Sequence, residues 1–548
     1  MGGAIKVPLP SSFLEGKKME MIAKMIQNGN TALGIELGST RIKAILLGTD
    51  HTPIASGSYS WQDCYSDGIW TYTLENAWAG VQKSYAALQQ DVNEKYGVPL
   101  ETVGVMGISG MMHGYLVFDE QDHLLTPFRT WRNTNAAQAA KELTELMDFN
   151  IPMRWSIAQL YQSILDQDAH VKKIRFMTTL AGYMHWQLSG KKVLGIGDAS
   201  GMFPIDSVSR GYDCTMLENF RNKVAARGYS WDIEDILPTV LAAGEDAGAL
   251  TEEGARKLDP SGMLQPGIQM APPEGDAGTG MIATNSVAER SGNVSAGTSI
   301  FAMVVLEHRL SKMYPEIDMV TTPSGRPVAM VHCNNCTSDM NAWTNIFREF
   351  GTMMGVAADA DKLYTALYQK SMEGRSDGGG IVVCNFLAGE PIVGFESGKP
   401  FVLRGPETEF TLANFLRAQL YATMAALVLG MRILQKEQVK IDRLTGHGGL
   451  FKTPQVGQRY LAAATGSPVT IMKTAGEGGP YGMALLAAYC KEKETGETLE
   501  AFLQKKIFAM AETNTMQPRK DDRAGFEKFL SAYERALTIE RTAVEISL

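Results

Sequence analysis

Cysteine is scarce: the 548-residue chain has six, at positions 64, 214, 333, 336, 384 and 490. So few thiols, so widely spaced, exclude a disulfide framework and fit a reducing compartment. No run of 18 apolar residues occurs, and Pro8, Pro10 and several lysines interrupt the N-terminal stretch. Neither a transmembrane helix nor a signal peptide is therefore expected, no membrane is expected as a partner, and the expected location is the cytoplasm. Long blocks of one charge sign are missing too. The 51 basic and 60 acidic side chains leave a formal charge of −9 spread along the chain, which argues against a nucleic-acid partner. There is no Walker G-x-x-x-x-G-K-[ST] loop, and "GHGGLF" does not supply a dinucleotide fingerprint. Low-complexity linkers are also absent, so any domain boundary must be a hinge.

What the chain does have is glycine, 55 residues of it, punctuating apolar strands that alternate with amphipathic helices. "TALGIELGSTRIKAILLGTD" reads as strand, tight turn, strand, and Trp78, Val81, Tyr85 and Leu88 then follow at helical spacing. "VGVMGISGMMHG" reads as a buried strand with a glycine-rich end. Late in the chain, "IDRLTGHGGLFKTPQVGQRYLAAATGSPVTIM" gives strand, glycine turn, helix and strand. The fold class expected from this alternation is α/β, and the length calls for at least two domains.

Two segments share a plan. Residues 35–47, "IELGSTRIKAILL", and 294–306, "VSAGTSIFAMVVL", both run apolar strand, glycine, two hydroxyl residues, apolar strand. Each glycine lets backbone amides approach a ligand and the hydroxyls add donors, a combination suited to phosphate; the plainer reading of either one is a β-hairpin turn. Between them lies "EGDAGTG", in which Asp276 is an isolated acid beside Gly275 and Gly278. It reads either as a proton acceptor with room for a substrate to come close, or as a helix cap. The Cys333–Cys336 pair has zinc-like spacing but no second pair, and reads as structural. Asp198, in "GIGDASG", also reads as structural.

Taken in order, "ELGST", "SGMMHG", Trp131, "GDAGTG", "GNVSAGTS" and "TGHGGLFKTPQVGQRYLAAATGSPV…EGGPYGMALLA" resemble the FGGY carbohydrate kinases from about residue 31 to about 490. The resemblance implies two actin-like (ribonuclease H-like) domains with an interdomain cleft that closes over the sugar. It also implies an N-terminal extension at 1–30, a sugar-binding domain at 31–291 and a nucleotide-binding domain at 292–548. ATP and Mg2+ are the implied co-substrate and metal, a small sugar the implied partner, and a homodimer is compatible with it. Asp276 matches the general base. Gly38, Ser39, Thr40 and Lys43, with Gly297, Thr298 and Ser299, match phosphate contacts, Arg41 being the rival to Lys43. Gly446, Gly448, Gly449 and Glu477 match the adenosine side. Met112, His113, Gly114, Trp131 and Asn133 match the sugar side, His113 acting through its backbone or side chain.

The chain also departs from the family pattern. Glu36 stands where an Asp is usual and is expected to meet the metal through water. Asn133 and Asn135 replace an acid and an arginine, exchanging acceptors for mixed donor–acceptor groups. Length and this amide-rich segment resemble the ketopentose branch, with L-ribulose favoured and D-xylulose or D-ribulose next. An actin- or chaperone-like ATPase and a catalytically inactive sugar sensor are the alternatives from other classes.

Overall fold

Both sheets begin with a hairpin built from the repeated segments. The computed structural model describes residues 11–356, 359–472 and 476–546. Ala32–Leu37 pairs antiparallel with Arg41–Leu47, and Ser291–Ala296 pairs antiparallel with Ile300–Val305. In each case the apolar flanks supply the buried strands, and the glycine and hydroxyl residues make the turn. The first sheet runs Gln269–Met270, Val105–Gly110, Ala32–Leu37, Arg41–Leu47, Pro53–Ser60, with Val105–Gly110 parallel to Ala32–Leu37. The second runs Asp318–Thr321, Pro327–Cys333, Ile300–Val305, Ser291–Ala296, Arg443–His447, Val469–Met472, Thr513–Met516, with Arg443–His447 parallel to Ser291–Ala296. The same plan therefore occurs twice: antiparallel strands joined by hairpins, then strands entering parallel after a crossover.

The chain forms two compact units, and they interleave. One comprises residues up to Ala283, Thr321–Gly325 and Glu477–Ala509; the other comprises Thr284–Val320, Arg326–Gly476 and the residues from Met510 onward. In this division the late helix Gly479–Glu492 belongs to the first unit. The reason is close packing against the first sheet: a Cβ on Gly34 would stand 2.1 Å from Pro480 O and 2.5 Å from Ala484 N. The stretch expected as an extension also joins this unit. Helix Ser11–Gln27 places Ile22 and Ile26 in the same apolar core as Leu33, Leu46 and Leu88; residues 1–10 lie outside the described residues.

In the second unit the central helix is Leu412–Lys436. Among the described residues it is the one helix long and apolar enough to cross a membrane, yet 89% of its apolar window lies inside the protein. Beside it sits a buried ion network. Asp522, 2% exposed, accepts from Arg417 Nη2 at 2.7 Å and from Arg459 Nε and Nη2 at 2.6 and 2.8 Å. Arg417 also donates to Tyr421 Oη at 3.0 Å. Removing the carboxylate would strand two guanidinium groups, one of them fully buried. Asp522→Ala should therefore cost about 3–5 kcal/mol, read as a fall in the unfolding transition of this unit by chemical denaturation, with Asp522→Asn costing less.

Candidate functional site

Asp276 is set by three backbone constraints. The short strand Glu274–Gly275 pairs parallel with Ser109 and Gly110 at the end of Val105–Gly110, and helix Asp276–Ala283 starts at once. Directly after that same strand, Met112 N donates to Asp276 Oδ1 at 3.2 Å. The carboxylate keeps partial exposure, but its setting pushes it up to about 6: burial is the main cause, opposed by the amides of Met112 and Ala277. Asp276 therefore begins a helix, as a cap would, while its side chain faces the turn at Met112.

The glycines around it serve packing rather than ligand access. A Cβ on Gly275 would lie 2.2 Å from Met112 Cγ and 3.2 Å from Asp198 Oδ1, and one on Gly278 would meet Pro323 Cγ at 3.3 Å. The expectation that these two positions clear space for a substrate is corrected accordingly.

Behind Asp276 lies an acid that the sequence reading passed over. Glu274 is 1% exposed and accepts three backbone N–H groups, from Gly197 at 3.1 Å, Asp198 at 2.9 Å and Gly275 at 3.3 Å. It ties the turn that carries Asp276 to helix Ile196–Ala199. Burial pushes it up to about 7 in spite of those amides. Asp198, fully buried, accepts from Thr179 Oγ1 at 2.6 Å, while its Oδ1 accepts no hydrogen bond from the described residues. Burial first, then the charges of Glu274 and Asp276, hold its carboxyl far above the usual range.

The "MMHG" turn is built around a strained residue. His113 has φ +66° and Gly114 φ +98°. The imidazole is buried, with Nδ1 3.0 Å from Gly201 O and Nε2 3.2 Å from Arg154 Nε. An arginine can only donate, so Nε2 accepts and Nδ1 carries the proton to Gly201 O: the ring is a neutral strut. Of the two roles expected for His113, the structure gives its side chain to the scaffold. No sequence signal pointed to Arg154.

Gly38, Ser39 and Thr40 form the first turn, and aromatic side chains pin it. Trp61 Nε1 donates to Gly38 O at 2.7 Å, Tyr72 Oη to Ser39 O at 2.5 Å, and Trp131 Nε1 to Ser39 Oγ at 3.1 Å. Trp131, expected on the sugar side, is thus brought directly to a residue expected to meet phosphate. Asn133 is a correction: its amide accepts from Trp70 N at 2.9 Å and donates to Trp70 O and Thr130 O at 2.8 and 2.9 Å, and it is 3% exposed. Both of its N–H donors are spent on backbone carbonyls, and an amide so held and buried serves the scaffold.

Glu36 and Lys43 face each other across the hairpin, and Arg41 at its mouth is exposed. Burial and the charge of Asp276 push Glu36 up to about 7, against the pull of Lys43. Among the described residues no three His, Cys, Asp or Glu side chains form a metal cage. Glu36, whose carboxyl feels the charge of Asp276, is a hard oxygen donor of the kind that suits a cation such as Mg2+ that keeps most of its water or takes phosphate oxygens.

In the second unit, Gly297, Thr298 and Ser299 form the matching turn. It is braced by Cys336 N to Thr298 O at 3.0 Å and by Thr337 Oγ1 to Gly297 O at 2.8 Å. A side chain on Gly297 would meet nothing within 4 Å, so the space beside its Cα is open, while its N–H donates to Ser299 O at 2.9 Å. Gly448, φ +97°, passes so near that a Cβ would stand 2.4 Å from Ala296 O. The Gly446–Gly449 turn and the Gly297 turn therefore share one edge of the second sheet. Glu477 falls in the first unit, ahead of helix Gly479–Glu492, and the other residues expected on the adenosine side fall in the second. Cys333 and Cys336 are buried thiols held well above their ordinary range by burial, packed as core rather than set as ligands.

Because Asp276 titrates higher in the folded protein than in the unfolded chain, the folded state gains stability as pH falls through about 6 toward 4 and loses it as pH rises. Asp276→Asn should therefore be more stable than the wild type at pH 8, on the order of 1–2 kcal/mol with partial exposure discounted. That advantage should shrink toward pH 5, as read by thermal melts of both proteins across the range.

Residues 31–264 match the N-terminal domain of the FGGY family of carbohydrate kinases, and residues 292–490 match its C-terminal domain. A xylulose kinase of Haemophilus influenzae is 22% identical over 522 residues, covering 92% of this chain and 98% of that protein. One from Staphylococcus xylosus is 19% identical over 506 residues, 88% of this chain and 96% of the other. Among solved structures, a ligand-bound xylulose kinase from Lactobacillus acidophilus superposes with a TM-score of 0.75 at 16% identity, over 93% of this chain and 98% of that one. Plasmodium falciparum glycerol kinase with ADP gives 0.72 at 12% identity, over 95% and 99%. With both domains matched in order and the two α/β sheets built on one plan, the chain belongs to the FGGY carbohydrate kinases, has their actin-like, ribonuclease H-like fold, and is a sugar phosphotransferase.

Proposed function

We propose that this kinase transfers the γ-phosphoryl group of ATP to a hydroxyl of a ketopentose, with Asp276 as general base. The observation that carries the reading is Asp276 itself: a partly accessible carboxylate, oriented by the Met112 amide and pushed up to about 6, poised to take a proton near neutral pH. In the transfer, the sugar oxygen attacks the γ-phosphorus, the bond from phosphorus to the bridging oxygen breaks, the proton passes to Asp276, and ADP leaves. Ser39, Thr40 and Lys43 in the first unit, and Gly297, Thr298 and Ser299 in the second, present amides, hydroxyls and one cation to phosphate oxygens. Gly446, Gly448 and Gly449 take the adenosine side. Glu36 would hold Mg2+ through water, and the ion, when bound, would neutralise phosphate charge.

On the sugar side, Met112, Gly114 and Trp131 are the contacts that stay in the proposal once Asn133 is assigned to the scaffold. The relatives named xylulose kinases move xylulose ahead of the L-ribulose favoured by the sequence pattern, with ribulose second. ADP release measured over xylulose, ribulose, hexoses and glycerol should give the highest kcat/KM with a ketopentose, and preference for glycerol or a hexose would overturn the substrate class. With the best sugar, Asp276→Asn should lower kcat roughly 10²- to 10⁴-fold with ATP binding retained; activity within a few-fold of wild type would remove Asp276 from the role of base.

Glu274 is read as the group that positions that base. Glu274→Gln turns one of the two accepting oxygens into a donor, so at least one of the three backbone N–H groups faces an amide N–H and the turn must shift. A displacement of about 1 Å costs on the order of 10²-fold, so kcat should fall 10- to 100-fold while the sugar KM changes little. Equal losses in kcat and in sugar affinity would mark a general loss of structure instead.

A further inference from the structure

In "CNNC", Cys333 to Cys336, the chemistry lies with the residues around the thiols rather than with the sulfurs. The segment from Asn334 to Thr337 joins strand Pro327–Cys333 to helix Ser338–Met353, and its last two residues hold the Gly297–Ser299 turn from behind. Cys336 N donates to Thr298 O at 3.0 Å, and Thr337 N and Oγ1 donate to Gly297 O at 3.1 and 2.8 Å. A trans peptide is planar, so its C=O and the next N–H point opposite ways. Fixing the carbonyls of Gly297 and Thr298 therefore aims the N–H groups of Thr298 and Ser299 away from Cys336 and Thr337, the side on which a phosphate oxygen would meet them.

What orients Cys336 and Thr337 is a buried clasp. Asn335 spends its whole side chain on the segment from Leu387 to Glu390: Oδ1 accepts from Leu387 N and Ala388 N at 2.9 and 3.0 Å, and Nδ2 donates to Ala388 O and Glu390 Oε2 at 3.1 Å each. Asn335 N also donates to Glu390 Oε2, at 3.3 Å, and Asn385 Nδ2 donates to Cys336 O at 2.9 Å. Asn335, Asn385 and Glu390 are all buried. Burial pushes Glu390 up to about 7 against the pull of the Asn335 donors. Its Oε1 accepts no hydrogen bond from the described residues, so its hold on the turn passes through Oε2. Three buried polar side chains cost free energy that apolar ones filling the same space would not. What the hydrogen bonds add is direction, and here they converge on one turn.

We propose that Glu390 and Asn335 are positioning residues for the nucleotide: through Cys336 and Thr337 they aim the amides of the Gly297–Ser299 turn at its phosphates. The inference rests on the reading of that turn as a phosphate contact. The test is isothermal titration calorimetry on the full chain with ATP, ADP and adenosine, beside steady-state kinetics with the best sugar. Glu390→Ala should weaken ATP and ADP roughly 10- to 100-fold, the range of one or two hydrogen bonds to charged oxygens, and raise the KM for ATP in step. Adenosine binding and the sugar KM should stay within a few-fold of wild type. Glu390→Gln keeps an oxygen for the two Asn335 donors and sets its NH2 where Oε1 accepts nothing, so it should restore ATP affinity to within a few-fold of wild type.

Asn385→Ala removes a single hydrogen bond to Cys336 O and covers the case in which Glu390→Ala fails to fold; it should weaken ATP roughly 3- to 10-fold. Thr298→Asp, at an exposed position, sets a negative charge on the turn and tests the reading beneath. It should weaken ATP more than about 10-fold by like-charge repulsion and leave adenosine nearly unchanged. If ATP binds the Thr298→Asp protein as it binds wild type, the turn is removed from the phosphates and the proposal goes with it. If Thr298→Asp weakens ATP while folded Glu390→Ala and Asn385→Ala do not, the positioning role alone is overturned and the turn keeps its phosphate contact. Equal weakening of ATP and adenosine by Glu390→Ala, the mark of a role in stability alone, overturns it too, and so does a Glu390→Gln protein as weak as Glu390→Ala.

Discussion

A helix from late in the chain is pressed against the first sheet so closely that only glycine fits at its contacts, and the candidate site hangs on that constraint. Besides Gly34, a Cβ on Gly479 would stand 2.0 Å from Glu36 Oε1, and one on Gly482 2.0 Å from Thr279 O. Helix Gly479–Glu492 is thereby fixed at once to the strand carrying Glu36 and to the helix that Asp276 begins. Dispersion and burial over such a contact are large because at Gly34 and Gly482 backbone meets backbone with no side chain between. The strand that carries Glu36 and the helix that Asp276 begins are thus held by main chain, the least compliant part of the molecule.

The electrostatics follow from that rigidity. Glu36, Glu274, Asp276 and Asp198 all sit above their ordinary range, with burial the leading cause each time. Their partners differ, and with them their uses. Glu274 spends both oxygens on amides and acts as a bracket, and Asp198 is held by Thr179. Asp276 accepts the Met112 amide and keeps some residue exposure, so it alone among these three neighbours combines basicity with access.

What the sequence made legible was local. The two hairpins could be read because glycine and hydroxyl residues stood between apolar runs, and Asp276 because it was a lone acid beside bare backbone. The late helix could not be placed, since its tight contacts join residues from about 200 to about 450 positions apart and leave no local pattern beyond "EGGPYG". Asn133 looked like a sugar contact because its amide is polar and follows Trp131; its real partners, on Trp70, are distant in sequence. Glu274 stood in plain view two residues from Asp276, yet nothing in the string says that three amides converge on it. Ile22 and Ile26, four apart, were the available sign that the N-terminal stretch packs as a helix rather than trailing.

Interleaving of the units bears on how the chain is made. At ribosomal rates of about 5–20 residues per second, roughly ten to forty seconds separate the emergence of Ala283 from that of the helix that completes the first unit. During that interval the sheet face around Gly34 and Gly107 lacks its covering layer, while every strand of the second sheet except Thr513–Met516 emerges. A newborn chain therefore carries an unfinished apolar surface through most of its synthesis, and a nonsense codon near residue 470 would leave the earlier half, not only the later one, unable to close its core.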